Sequence, residues 1–506
     1  RWQWSVPSRA VAAPAAAAPA KPGADGEFPG LATDGITRRR WPFPKVQVVI
    51  PLVALVGWTA LATLLSDRPL TSWMGQYGRY DGFLELLCGA TTMLAIVSFA
   101  GRDPRRLASL VWALVAAAAI SLLAVVLDGL GWDGGGWPVA DGSDVGIVGL
   151  AGNANFSGAL LALAVPLVLA LRTQVERRWL RAALVAAAVA LAGGVVWTET
   201  RGGILALLAG VAAMGALAPA LLPRVVRFGA VAALVAGFVL VGASSLSDPR
   251  PGPRPSGVER LLVRTSLGER QNVWAGATAM VRSSPFVGVG PDAFGGRFAY
   301  ERPSRPGNRA LIVADEAHDV FLDRAATAGL PALAAYLWMV GTVAVVAWRG
   351  RRSVDLAHRW LLAGFGGAYA GYLAQGAFSI DVVPLAWLSW ASVGAILALA
   401  DPAVLARREA PEPEPTARSV PAPALAGVLV VLLTAMAFAV RPLIADRHAR
   451  LAASASSDGR PLDAYVEWRR AAGWLPGAGC PLRGRDGDEY RRMQYPHREF
   501  SARTVS

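Results

Sequence analysis

The chain has 506 residues, 54% of them hydrophobic and only 17% charged, with a formal net charge of +13. A soluble globular protein of this size has a lower apolar share and lacks repeated apolar runs of about twenty residues, so the composition indicates a polytopic membrane protein. The positive charge is arginine gathered in short loops between apolar runs, and no basic groove interleaved with aromatics accompanies it. That pattern argues for membrane topology and against a nucleic-acid binder.

In chain order, residues 1–45 form an Ala/Pro/Gly-rich linker (VAAPAAAAPAKPGADG) that is expected to be disordered. It holds no signal-peptide core, and a chain that begins at Arg1 rather than Met is read as lacking its natural start. Apolar runs suited to a hydrocarbon core of ~30 Å follow at about 46–65, 83–100, 107–127, 157–171, 182–197, 202–222 and 228–242. Further runs lie at about 330–348, 358–378, 383–400 and 424–441, which makes about eleven spans. The expected organisation is a membrane bundle in two parts, 46–242 and 330–441, separated by a long polar loop at 243–329. A tail at 442–506 follows, in which RPLIADRHARLAASASSDGRPLDAYVEWRRAAGWLPG reads as two short helices. Cys88 lies in an apolar run and Cys480 in the tail, so neither a disulfide nor a metal-ligand spacing is expected.

Arginine counting sets the topology. With a cytoplasmic N-terminus, GRDPRR, RTQVERRWLR, PRVVR, RGRRSVDLAHR and LARREA all fall inside, while an Arg-free Gly/Asp loop (DGLGWDGGGWPVADGSDVGIVGLAGNANFSG) and the turn SID fall outside. The long loop is exempt from the rule by its length and is then extracytoplasmic. So are Arg79, Arg201, Arg270 and His318.

The long loop has its own helical periodicity, which for a loop of this length favours function. Arg270 shares a helix face with Trp274 at i+4, SSPFVGVGP breaks that helix, and His318 starts a second amphipathic run, HDVFLDRAATAGL. Arginine at helix mouths suits an anionic ligand, because guanidinium groups hold phosphate bidentately and stay ionised. Arg201 opens the sixth span, where free N–H groups and the helix dipole add positive potential. Blander readings stand beside these. Arg201 also fits a snorkelling interfacial anchor, and Arg79 an ordinary outer-loop charge. Asp315, Glu316, Asp319 and Asp323 suggest a metal site, but solvated and capping acids explain them as well.

Several segments, in order, resemble the O-antigen ligase and O-antigen polymerase superfamily: SWMGQYGRYDGFL, GNANFSGALLALAVPL, TETRGGILAL, ERQNVW, PFVGVGPDAF and AHDVFLDRAATAGLPAL. The resemblance spans about residues 46–441, with one departure, since Asp319 stands where the family usually has Asn. It implies an all-α, C-type glycosyltransferase-like bundle in the bacterial inner membrane, with its active face extracytoplasmic. The implied reaction is glycan transfer from undecaprenyl diphosphate to a glycolipid or glycan acceptor, without cofactor or divalent metal. The diphosphate would be bound by Arg201, Arg270 and Arg79, the acceptor activated by His318, and both supported by Trp274 and Asp319. Ligase, polymerase, protein O-oligosaccharyltransferase and a non-enzymatic lipid-glycan exporter remain open. The tail resembles the first unit of a tetratricopeptide-type repeat, which leaves it as a surface for a protein partner; one unit cannot bury its own face.

The topology is testable by fusion. Alkaline phosphatase joined after Asp381 should be active and joined after Arg352 inactive; the opposite pattern would overturn the orientation.

Overall fold

The computed structural model describes residues 46–76, 79–101, 103–132, 149–220, 222–245, 267–301, 314–409, 441, 444–445, 447–456 and 458–474. The linker at 1–45, the run at 424–441 except its last residue, and the end of the tail lie outside them, as does most of the Arg-free loop. Among the described residues the regular structure is entirely helical. Helices stand at each of the ten other positions where apolar runs predict them. They are α1 (Val46–Leu64), α3 (Phe83–Ala100), α4 (Arg105–Gly129), α5 (Ala154–Leu171), α6 (Arg178–Trp197), α7 (Arg201–Leu217) and α8 (Arg224–Ser245). A short α2 (Pro69–Met74) precedes α3. The second group is α12 (Leu330–Gly350), α13 (Leu356–Gly376) and α14 (Val383–Ala400). Six of these, α3, α4, α5, α6, α12 and α14, are long and apolar enough to cross a membrane.

Capping fixes where two helices begin. Asn153 accepts the N–H of Asn155 at 2.8 Å, so α5 starts before its apolar run does. Asp355 caps α13 by accepting the N–H of His358 at 2.9 Å.

The bundle centres on α5, α7 and α13. Their seam is made of small residues, the usual way for helices to approach closely in lipid. A Cβ on Gly367 would lie 2.7 Å from the carbonyl oxygen of Gly210, and one on Gly371 would lie 2.8 Å from that of Ala206. By contrast, α4 and α6 turn most of their surface outward.

Between the two groups of spans, α9 (Leu267–Ser283), α10 (Phe294–Glu301) and α11 (Val320–Ala328) form a unit with its own core. Val273, Ala277, Met280, Phe294, Phe298 and Ala326 fill it, and the rings of Phe294 and Phe298 stack at 5.7 Å. The segment PFVGVGP straps this unit to the bundle. Gly288 and Gly290 adopt φ of +65° and +107°, which lets the N–H groups of Val289 and Gly290 reach the carbonyls of Ala326 and Thr327 at 3.0 and 2.8 Å. The indole of Trp58 on α1 donates to the Phe286 carbonyl at 2.8 Å. In the tail, Pro461–Trp474 (α16, after α15 at Pro402–Glu409) is helical, and Glu467 on it meets the Nδ1 of His448 at 2.6 Å.

The α7–α13 seam should tolerate no added bulk. Gly367→Val should destabilise by about 2 kcal/mol or more through overpacking, whereas Gly341→Ala, with open space around it, should be neutral. Thermal unfolding of both in the same detergent checks this.

Candidate active site

Arg201 is the first residue of α7, and Thr200 before it offers no side-chain cap, so the helix presents its N-terminal N–H groups beside that guanidinium. Arg270 comes from a separate element, the first turn of α9. Burial, and then the positive charge of Arg201, hold the Arg270 guanidinium below its ordinary value. The fold therefore gathers two like charges from α7 and α9, and an anion placed between them would be favoured by both.

His318 joins this pair from the chain just before α11. It lies outside the helix, with φ +56°, because Asp319 takes the cap position and accepts the N–H groups of Phe321 and Leu322 at 2.9 and 3.0 Å. An Asn at 319 would cap through the same Oδ1, which explains why Asp is a mild departure from the family pattern. The Nδ1 of His318 lies 3.2 Å from the Glu316 carbonyl oxygen; a neutral ring protonated there donates to it and leaves Nε2 as acceptor. Burial lowers the His318 pKa, Arg270 and Arg79 act in the same direction, and the Glu316 carbonyl and Asp315 oppose them. The net effect keeps the imidazole neutral and able to take a proton.

Arg79 sits near this group but is held by carboxylates. Its Nε donates to Asp315 Oδ2 at 3.1 Å, its Nη2 pairs with the same oxygen, and its Nη1 lies 3.2 Å from Glu316 Oε1. Trp274, half-buried, has an indole N–H with no hydrogen-bond partner among the described residues.

Sequence reasoning missed a second feature beneath the histidine. A cavity of about 40 Å³ is lined by Asp81, Glu85, Asp292, Glu316, Asp323 and Asp381 around Arg324. Six carboxyls and one guanidinium cannot all be charged there. Burial first, then neighbouring carboxylates, raise Asp323 to about 7 and Glu316 to about 9, and burial raises Asp292 to about 6. Burial also lifts Asp81 and Asp381. Tyr372 donates to Asp381 Oδ2 at 2.5 Å, and the Val382 N–H to its Oδ1 at 2.9 Å. Burial works against the charge on Arg324, but Tyr336 and Asp81 outweigh it, and the guanidinium lies 4.6 Å from the Tyr336 ring centroid. Among the described residues no three His, Cys, Asp or Glu groups are arranged to hold a metal ion. One signal did exist: Asp381 is the only charge in the turn SID. Gln375, 1% exposed and with its Nε2 unpartnered among the described residues, lies under Gly202 and was also missed.

A bundle of apolar helices with a basic site and a neutral histidine on an interposed helical unit defines a multi-pass membrane protein. Residues 186–337 match the family described as O-Antigen ligase, and the segment belongs to that superfamily. The match takes in Arg201, Arg270, Trp274, His318 and Asp319; Arg79 and Asp381 lie outside it. No curated protein matches the chain.

The raised Glu316 carboxyl has a signed consequence. Its folded pKa of about 9 exceeds the ordinary 4.5, so its stabilising share is complete below 4.5 and is lost as pH rises through 9. Glu316→Gln mimics the protonated form. Its apparent Tm should equal that of the parent near pH 5 and exceed it near pH 9; parallel curves would show that Glu316 titrates normally.

Proposed function

We propose that the protein transfers a glycan from undecaprenyl diphosphate to an acceptor hydroxyl at the extracytoplasmic face of the bacterial inner membrane, in the manner of an O-antigen ligase. The observation that carries this reading is the convergence of Arg201, Arg270 and neutral His318 within the family-matched segment. The acceptor oxygen attacks the anomeric carbon as its proton passes to His318 Nε2. The bond from that carbon to the diphosphate breaks, and the lipid diphosphate leaves with the electron pair. Arg201, Arg270 and the N–H groups of α7 stabilise the departing charge, at about 3 kcal/mol per well-placed donor by analogy with oxyanion sites. Arg79 holds the His318 segment through Asp315 and Glu316, and lends positive potential rather than an open fork. The acceptor is a glycolipid such as lipid A-core or another surface glycan. The bundle supplies about eleven spans, and the tail is a surface for a protein partner.

Binding of an undecaprenyl diphosphate glycan and turnover, measured in the same lipid, separate the roles. Arg201→Lys and Arg270→Lys keep charge but lose the bidentate fork, so donor binding, turnover or both should fall strongly. His318→Ala should leave donor affinity nearly unchanged and cut turnover by about 10²–10⁴-fold. If His318→Ala abolishes donor binding while Arg270→Lys behaves as the parent does, the assignment is wrong.

Transfer by purified protein should also survive EDTA, since the charge on the leaving group is met by guanidinium groups. Loss with EDTA and rescue by Mg²⁺ or Mn²⁺ would show that the carboxylates near His318 hold a metal.

A further inference from the structure

At the end of the bundle opposite the candidate active site lies a larger cleft, of about 610 Å³, that the proposed reaction does not use. The opposition follows from chain direction. Helix α5 runs away from Asn153 to the turn Arg172–Gln174, α6 returns from Arg178 toward Arg201, and α13 runs from Leu356 toward Gln375 and Asp381. The cleft is bounded by the end of α5 and the beginnings of α6 and α13.

Its walls divide by chemistry. Arg172, Thr173 and Arg181 supply a polar side, while Ala182, Val185 and Trp360 supply an apolar one. Two contacts set this geometry. Gln174 Nε2 donates to the Ala357 carbonyl at 3.0 Å, tying the end of α5 to the start of α13. Arg181 Nε donates to the Val175 carbonyl at 2.7 Å, which anchors that guanidinium at the rim. Among the described residues no carboxylate lines the cleft. Of the acids adjacent in sequence, Asp355 caps α13 and meets the Nδ1 of His358 at 2.5 Å, and Glu176 is exposed. Most of α6 faces outward, so lipid can reach the opening.

Two guanidiniums above an apolar wall are complementary to a phosphodiester joined to hydrocarbon. A volume of about 610 Å³ falls within the range of about 300–1,000 Å³ typical of small-ligand sites. Basic pockets between helices on the cytoplasmic side are suited to anionic lipid head groups, and by the arginine rule this end of the bundle is cytoplasmic. We propose that the cleft binds an anionic glycerophospholipid of the surrounding bilayer. Arg172 and Arg181 hold the phosphate oxygens, and the first acyl methylenes run along Ala182, Val185 and Trp360; the Thr173 hydroxyl is already donated to the Ala170 carbonyl at 2.8 Å. A free inorganic anion would leave that apolar wall without a partner. The lipid-linked donor would be at the wrong end of the bundle for the chemistry.

Native mass spectrometry of the full chain, delipidated in mild detergent and titrated with phosphatidylglycerol or phosphatidylcholine, tests this. Phosphatidylglycerol should bind with about a tenfold or greater preference, a difference of about 1.4 kcal/mol. The pair Arg172→Gln and Arg181→Gln should abolish that preference, while Arg349→Gln with Arg351→Gln, arginines at the same end outside the cleft, should keep it. Val185→Trp retains both guanidiniums but fills the apolar wall. It should weaken phosphatidylglycerol binding on its own, and it carries the test if the double variant does not fold. Equal binding of the two lipids by the parent, or an unchanged preference in Val185→Trp, would overturn the proposal. So would displacement of the lipid by an equal concentration of inorganic phosphate, which would show a bare anion site. Displacement by a polyprenyl diphosphate in preference to phosphatidylglycerol would likewise reassign the cleft.

Discussion

A guanidinium placed against the apolar body of a membrane bundle must find negative charge, and Arg324 imposes that demand here. The carboxyls that face its cavity come from four separate stretches: the start of α3 with Asp81 and Glu85, Asp292 just after the PFVGVGP strap, the segment around α11 and the turn between α13 and α14. No two of these stretches need meet for any local reason. Meeting around one cation fixes how the interposed helical unit sits on the bundle, and with it where His318 stands. The excess of carboxyls over cations is relieved by protonation, which is why burial and mutual repulsion drive Glu316 and Asp323 so far up. Such a cluster is weak evidence for stability.

Backbone strain falls in the same place. Among the described residues the non-glycine positions with positive φ are Tyr80, Glu199, Asp292 and His318. Tyr80 lies between Arg79 and Asp81, Glu199 two residues before Arg201, and Asp292 on the acid cavity. A left-handed conformation at such residues persists only where surrounding contacts over-determine it. Here those contacts are the Arg79 ion pairs, the Asp319 cap and the Gln76 N–H donated to Asp292 Oδ2 at 2.5 Å. The strain and the buried charge fall in the same part of the fold, around Arg79, the acid cavity and His318.

The two ends of the bundle use arginine differently. At one end Arg201 and Arg270 are brought close enough that the charge of Arg201 works against that of Arg270. At the other, arginines sit at helix ends, and Arg172 and Arg181 border a cleft with no lining carboxylate among the described residues. The same side chain stands in different surroundings at the two ends, and the surrounding carboxylates and burial set how its charge is met.

The sequence by itself determined the helices, because hydropathy is summed locally over about twenty residues and needs no partner. It also marked Arg201, Arg270 and His318, since each stands where neither span nor charge rule requires it. The partners of Arg79 were beyond its reach. Asp315 lies 236 residues away, and only packing brings the two together. Asp381 was visible as a lone charge in a short turn, yet its neighbours Asp81 and Arg324 were not. The start of α11 was misplaced by two residues because His318 has the right polarity for a helix start, while the cap geometry belongs to Asp319. Charge environments, caps that compete with periodicity, and the gap left between α6 and α13 depend on distances between remote segments. Those distances are set by the tertiary structure alone.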